Sequence, residues 1–230
     1  MKVAILFFVF LSLAGCATTS GVAFHNAGKP WSYSNKQGVH RFEVRPGDCW
    51  RIANGSCSAR SELQFAKTSK NIDYWYAWDQ KVHSQDTDIF NRPWMGQFFP
   101  SDGCDIGSPN LKQNFEGSQL VITLLASSDL MERCPRRGSG TREDFFAEDA
   151  FKFDEWNNII YQVKWTPRDN GYLNIWINGV QVAKYTGPTM YNNQKGPHFK
   201  MGVYRGWYTP GTNIAEYKNF RYGSKSSVFP

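Results

Sequence analysis

The sequence lacks several features that mark large classes of protein. Its one long apolar run, at residues 3–15, is too short to cross a membrane as a helix. No segment keeps a helical period for more than a couple of turns, and no segment is repeated. A Gly-x-Ser-x-Gly elbow, a Glu-x-Asp-x-x-Glu strand and a metal-type histidine spacing are all missing. These absences argue against a serine hydrolase, a glucanase with paired carboxylates on one strand, and a histidine metal centre.

The N-terminus indicates export. Lys2 precedes the apolar run, which is the layout of an export signal. The stretch Leu13-Ala14-Gly15-Cys16 resembles a bacterial lipobox, in which the chain is cut before a cysteine that is then lipidated; the alternative is a plain secretory signal cut near Ala17. We predict an exported lipoprotein, held at the outer membrane of a Gram-negative host. Its segments are a signal peptide at 1–15, a lipidated tether and lead-in at 16–38, and one domain at 39–230.

The cysteine count agrees with this interpretation. Of five cysteines, lipidation of Cys16 leaves an even set, and an oxidising compartment favours two disulfides. Four cysteines allow three pairings. We favour Cys49–Cys57 and Cys104–Cys134 because each pair closes a local loop.

The charge is basic. The formal net charge is +6, and removing residues 1–15 takes away Lys2 and leaves +5. For an exported chain this favours an acidic polysaccharide as partner over nucleic acid. Residues 142–155 hold six carboxylates without the spacing of a Ca²⁺ loop, so we expect a solvated loop there and find no support for structural calcium. We expect a monomer that requires no cofactor.

Short stretches with a period of two dominate the chain from residue 39 onwards. This pattern predicts ten strands: HRFEVR, SARSELQF, DYWYAWDQKV, WMGQFF, SQLVITLLA, NIIYQVKW, YLNIWING, VQVAKY, HFKMGVYR and AEYKNFRYG. Asn178-Gly179 is the clearest hairpin turn. Strands joined by such turns, without alternating helices, predict an all-β fold: a two-sheet antiparallel β-sandwich of jelly-roll (concanavalin-like) type with a concave groove.

Three of these strands carry polar residues that chemistry could use. Arg60, Glu62 and Gln64 share one face of SARSELQF, because side chains alternate along a strand. Gln97 lies among apolar neighbours in WMGQFF, and Lys200 and Tyr204 share a face of HFKMGVYR. Each pattern alone is typical of a solvent-facing cross-strand pair. Together, on one concave sheet, they would line a groove.

The order of these motifs resembles a known family. The chain resembles polysaccharide lyases of the heparin-lyase-I-like and glucuronan-lyase-like type in seven stretches: RFEVRPGDCW, SARSELQF, YWYAWD, GQFF, IIYQVKW, GYLNIWINGVQV and FKMGVYRGWY. More distantly, ARSEL, GQFF and HFKMGVY are similar to the Arg-Ser/Thr-Glu, Gln-x-His and Tyr-Phe-Lys-Ala-Gly-x-Tyr strands of jelly-roll alginate lyases. The resemblance covers residues 39–223. It implies cleavage of a uronate-containing polysaccharide by β-elimination, giving unsaturated oligosaccharides.

The resemblance also implies roles for individual residues. Arg60 and Gln97 would neutralise the substrate carboxylate, and Tyr204 would be the base, its ionised form favoured by Lys200. Glu62 would orient Arg60 or Lys200. The remaining candidates for substrate binding are Gln64, Arg205, Trp207, Tyr208 and Trp78.

One position departs from the family pattern. Phe99 stands where the Gln-x-His strand has its histidine. Either Tyr204 serves as both base and acid, or His83 swings into the site, or turnover is lost and sugar binding remains. A non-catalytic carbohydrate-binding lipoprotein is therefore the main alternative function, and a glycoside hydrolase on the same fold is a weaker one.

Overall fold

A computed structural model describes residues 22–51, 55–84, 93–100, 108–116, 119–127, 140–192, 195–206 and 210–229. Within these ranges the chain forms strands, one 3₁₀ turn at Glu148–Ala150 and one short helix, α1 (Lys225–Val228). The strands are β1 (Ala23–Asn26), β2 (Tyr33–Lys36), β3 (Val39–Val44), β4 (Trp50–Arg51), β5 (Cys57–Lys67), β6 (Asp73–Val82), β7 (Trp94–Phe99), β8 (Leu111–Glu116), β9 (Gln119–Ala126), β10 (Thr141–Phe146), β11 (Asn157–Lys164), β12 (Tyr172–Ile177), β13 (Val180–Thr186), β14 (His198–Arg205) and β15 (Asn213–Gly223).

The strands form two antiparallel sheets packed face to face. Sheet A has the order β1-β5-β14-β7-β8-β9-β10, with β4 added beside β5. Sheet B has the order β13-β12-β11-β6-β15-β3-β2. This is the predicted two-sheet sandwich, in which neighbouring strands come from distant parts of the sequence.

Aromatic side chains from both sheets fill the core. Phe98 and Phe199 of sheet A pack against Trp78 and Tyr161 of sheet B, with ring centroids 5.3 Å apart for Trp78 and Phe199 and 6.1 Å apart for Phe98 and Tyr161. Each phenylalanine buried in this way contributes about 1.5–3 kcal/mol. This packing fixes which face of each strand points inwards.

Strand β14 shows how the core positions the other face of sheet A. Phe199, Met201 and Val203 are 2 %, 1 % and 0 % exposed and point into the core. Because side chains alternate, Lys200 and Tyr204 lie on the opposite face. We call this face, which points away from sheet B, the open face of sheet A.

Two predicted segment boundaries are corrected by the structure. The domain begins before residue 39, because β1 pairs with β5 and β2 pairs with β3, so residues 22–38 belong to the sheets rather than to a tether. The acidic segment 142–155 is not simply a loop: its first residues form β10, the edge strand of sheet A. In the described part of the chain no helix is long and apolar enough to span a membrane.

One predicted disulfide is present. Cys49 and Cys57 are bonded across eight positions of sequence, at the start of β5. Cys16, Cys104 and Cys134 lie outside the described residues.

Candidate active site

The polar residues singled out on β5, β7 and β14 meet on the open face of sheet A. The antiparallel register sets Tyr204 beside Arg60 and Lys200 beside Gln64 on one side of β14. On its other side, Lys200 lies beside Gln97 and Tyr204 beside Trp94. Directly paired residues project to the same face, so three distant segments contribute to one site.

Glu62 lies at the centre of this site. The Gln97 amide donates a hydrogen bond from Nε2 to Glu62 Oε1 at 2.5 Å, and Arg60 Nη1 is 3.7 Å from Glu62 Oε2. The first contact reaches across β14 at Gly202, the residue paired with Glu62, where no side chain stands between them. Glu62 therefore ties the amide and the guanidinium into one cluster.

Gly202 is required at this crossing. Its φ is +136°, and a Cβ there would lie 2.1 Å from the Ser61 carbonyl oxygen. Side chains rarely adopt this φ and would collide with the backbone of β5. The glycine between Lys200 and Tyr204 thus allows β14 and β5 to approach closely and leaves the route from Glu62 to Gln97 open.

Three of these polar groups are buried. Glu62, Lys200 and Gln97 are 1 %, 5 % and 2 % exposed although they lie on the open face, whereas Arg60 and Tyr204 stay partly exposed. Burial raises the pKa of Glu62, and Arg60 and Lys200 oppose that rise. Burial lowers the pKa of Lys200, and Glu62 opposes that fall. Glu62 Oε2 and Gln97 Oε1 are buried acceptors without a hydrogen-bond partner.

Tyr204 is held between two strands by ring contacts. The Arg60 guanidinium carbon lies 4.6 Å from the Tyr204 ring centroid, and the rings of Trp94 and Tyr204 are 4.7 Å apart. A cation and an aromatic ring on opposite neighbours restrict the phenol to one orientation. Tyr204 is therefore partly exposed on the open face, between Arg60 and Trp94.

His25 joins the site, although sequence reasoning gave it no role. It pairs with Glu62 in register, from β1, and its Nδ1 is buried without a partner. Burial, Lys200 and Arg60 lower its pKa to about 4, so it is neutral at neutral pH. The alternation around His25 covers only four residues, which is too short a pattern to predict a strand.

Three predicted site residues lie elsewhere. Trp78 is 1 % exposed in the core, because β6 belongs to sheet B and its aromatic face points inwards. Arg205 is 1 % exposed and donates from Nη1 to Pro210 O and Asn213 Oδ1, as its opposite parity to Tyr204 requires. His83 follows β6 in sheet B, with Nε2 3.6 Å from Glu216, so it does not supply the missing histidine of the site.

Of the remaining predicted substrate-binding residues, the structure describes one. Gln64 lies on the open face beside Lys200, as predicted. Trp207 and Tyr208 lie outside the described residues. Among the residues that the structure does describe, no group of three or more His, Cys, Asp or Glu side chains is arranged to hold a metal ion.

Comparison with known proteins gives the site a context. A family model described as polysaccharide lyase matches residues 25–221. The endo-β-1,4-glucuronan lyase of the fungus Trichoderma reesei superposes with a TM-score of 0.65 at 15 % identity, over 90 % of this chain and 89 % of that one. Alginate lyase A1-II′, of polysaccharide lyase family 7, superposes with a TM-score of 0.62 at 15 % identity, over 89 % of this chain and 95 % of that one. An alginate lyase from Pseudomonas aeruginosa superposes with a TM-score of 0.59 at 17 % identity, over 90 % of this chain and 99 % of that one. A search of curated proteins gave no match.

Proposed function

Because this chain belongs to the polysaccharide lyase family, we propose that the open face of sheet A binds a uronate polysaccharide and cleaves it by β-elimination. The observation that carries the proposal is the convergence of Arg60, Gln97, Lys200 and Tyr204 around Glu62 on the open face, where Arg60 and Tyr204 are partly exposed. Glucuronan and alginate are the polymers named for structures of the same fold.

The first requirement of the reaction is to make the C5 proton of a uronate acidic. Removing it while the neighbouring carboxylate is ionised would place two negative charges on one intermediate. Arg60 offers a permanent cation and Gln97 an amide N–H, which together bind the carboxylate and stabilise the enolate charge that develops. Neutral His25, at the Glu62 side of the cluster, adds a further hydrogen-bond donor.

The second requirement is a base and an acid. Tyr204, acting as the phenolate, takes the C5 proton, the C5–H electron pair forms the C4–C5 double bond, and the C4–O4 bond breaks. The phenol formed in this way gives the proton to the O4 of the leaving chain and returns to the phenolate, so one residue closes the cycle. Lys200, which lies beside Gln64 and Gln97, offers a positive charge to the anionic polymer.

A single residue in both roles restricts the substrate. The C5–H and C4–O4 bonds must lie on the same side of the sugar ring, which holds for glucuronate and mannuronate but not for guluronate. We therefore propose glucuronan or polymannuronate as substrate and expect polyguluronate to be cut far more slowly.

A polysaccharide panel tests this function. Purified protein is incubated with glucuronan, polymannuronate, polyguluronate and a neutral glucan, and the ultraviolet absorbance of the unsaturated uronate is followed. We expect absorbance with the first two and its loss in Tyr204→Phe, with binding retained. New reducing ends without absorbance would mean hydrolysis, and retention on the polymer without either would mean a binding protein.

We also propose that the protein is an outer-membrane lipoprotein that acts as a monomer. The support for the anchor is the Leu13-Ala14-Gly15-Cys16 stretch, which ends a short distance before β1. Since β1 is the edge strand that contributes His25, the anchor would hold the site close to the membrane surface.

A further inference from the structure

A row of aromatic rings with one guanidinium among them crosses the open face of sheet A. The His25 imidazole stacks on Trp50 at 4.9 Å between centroids, and the Arg60 guanidinium carbon lies 4.8 Å from the Trp50 ring. Arg60 also lies over Tyr204, and Tyr204 contacts Trp94. Trp50 is the member of this row that neither the sequence patterns nor the proposed reaction accounts for.

Trp50 completes the enclosure of Arg60. The guanidinium is flanked by the Trp50 ring at 4.8 Å and the Tyr204 ring at 4.6 Å. Its Nε donates to Ser58 Oγ at 2.9 Å. A planar guanidinium that contacts two rings and donates one hydrogen bond from its Nε–H has little freedom to turn, so its remaining N–H groups point in fixed directions. Without Trp50 one of these constraints would be lost.

The position of Trp50 itself depends on a small, cross-linked element. In the described part of the chain, strand β4 has two residues and pairs with β5 through Trp50 with Ser58 and Arg51 with Cys57. Two residue pairs alone make a weak strand. The Cys49–Cys57 disulfide ties the residue before Trp50 directly to the first residue of β5 and so limits how far this strand can move.

We propose that Trp50 is a positioning residue that holds Arg60 in the orientation needed to bind the uronate carboxylate, and that the Cys49–Cys57 disulfide keeps Trp50 in place. The role in turnover rests on the proposed function. The positioning of Arg60 does not depend on the proposed function, so positioning and turnover can be tested separately.

The positioning is tested without substrate by NMR of protein labelled with ¹⁵N-arginine. The side-chain Nε–H resonance of Arg60, assigned by its disappearance in Arg60→Lys, carries ring-current shifts from its aromatic neighbours. Trp50→Ala removes one ring current and should move this resonance. It should also lower the ¹H–¹⁵N heteronuclear NOE of the Arg60 Nε–H, because the guanidinium turns more freely, and Cys49→Ser/Cys57→Ser should have both effects. Trp156→Ala is the control, because the Trp156 ring lies 5.2 Å from Lys81 Nζ and 4.1 Å from Lys218 Nζ, both on sheet B, so it should leave the Arg60 shift and NOE unchanged. An Arg60 Nε–H that keeps its wild-type NOE in Trp50→Ala would overturn the proposal.

The effect on turnover is tested with glucuronan as substrate. Trp50→Ala should lower kcat by about 2- to 30-fold, the range expected for loss of one cation–π contact, with KM nearly unchanged. Trp50→Phe, which keeps a ring, should restore most of the rate. In the Arg60→Lys background, which lacks the planar group, Trp50→Ala should have no further effect.

An equal loss of kcat in both backgrounds would mean that Trp50 acts without Arg60, and the proposal would be wrong. If wild-type protein does not cut glucuronan at all, the proposed substrate fails, while the NMR comparison still decides whether Trp50 positions Arg60.

Discussion

Glu62 links several residues of the site. It accepts a hydrogen bond from Gln97, lies near Arg60 and neutral His25, and opposes the fall that burial causes in the pKa of Lys200. Its carboxylate is almost fully buried, so it acts on its neighbours rather than on bulk solvent. We regard it as the residue that orients the others.

Replacing Glu62 by glutamine tests this role. The isosteric change keeps an acceptor for Gln97 but leaves two cations without their counter-charge, so we expect the lyase rate to fall about tenfold or more and the free energy of unfolding to fall by about 1–3 kcal/mol. Glu43→Gln is the matched control: Glu43 is 4 % exposed and contacts Arg41 and Arg45 on sheet B. It should lose stability but keep activity. A Glu62→Gln enzyme with the wild-type rate would rule out this role.

Two histidines predict how stability varies with pH. Burial and nearby cations lower the pKa of His25 and of His198 to about 4, against 6.5 for an ordinary histidine. Between pH 4 and pH 6.5 the unfolded chain binds protons at these histidines that the folded chain does not. The free energy of unfolding should therefore fall as the pH decreases from about 6.5 to 4, and these groups should not affect it above about pH 6.5. Urea midpoints at several pH values measure this.

The double variant His25→Gln/His198→Gln provides the comparison. Its stability relative to wild type should improve steadily as the pH falls through that window, because both depressed histidines are gone. A difference from wild type that stays constant with pH would contradict the assignment of these pKa values.

At the scale of elements, β14 determines the shape of the site through one glycine. Gly202→Ala places a Cβ against the Ser61 carbonyl at a φ of +136°, so we expect a loss of at least about 3 kcal/mol of unfolding free energy and disappearance of activity. Gly47→Ala, at φ +80° with no atom within 4 Å, should cost about 1 kcal/mol and keep activity. Thermal unfolding and the absorbance assay give both results, and similar behaviour of the two variants would mean that the close approach of β14 and β5 does not matter.

The strands that carried a long alternating pattern were predictable, and the short ones were not. SARSELQF and HFKMGVYR gave both the strands and the faces of β5 and β14, because their apolar residues had to enter a core. β1, β2 and β4 have four, four and two residues, and they exist because longer neighbours pair with them. His25 and Trp50 lie on two of these strands, which is why the pattern could not place them in the site.

Membership of a sheet could not be deduced from alternation either. Trp78 and Tyr204 both lie on well-predicted strands, but β6 belongs to sheet B, so Trp78 could not reach the open face of sheet A on either side of its strand. Which strands are neighbours is a property of the whole fold, and for Arg60, Gln97 and Tyr204 it was the family resemblance, not the pattern, that anticipated it.

At the scale of the whole molecule, the proposed lipid anchor gives a prediction independent of the site. Cys16→Ser removes the residue that would carry the lipid, so the protein expressed in a Gram-negative host should move from the membrane fraction to the soluble fraction and lose incorporation of labelled palmitate. Wild-type protein found in the soluble fraction without label would instead indicate a plain secretory signal.

If residues from β5, β7 and β14 act on a single sugar, a crystal structure of the Tyr204→Phe variant with a glucuronan oligosaccharide will show it. We expect one uronate carboxylate within hydrogen-bonding distance of Arg60 and the Gln97 amide, with the C5–H and C4–O4 bonds of that uronate both directed at the ring at position 204. An oligosaccharide bound on sheet B, or lying across sheet A with its carboxylates turned away from Arg60 and Gln97, would contradict it.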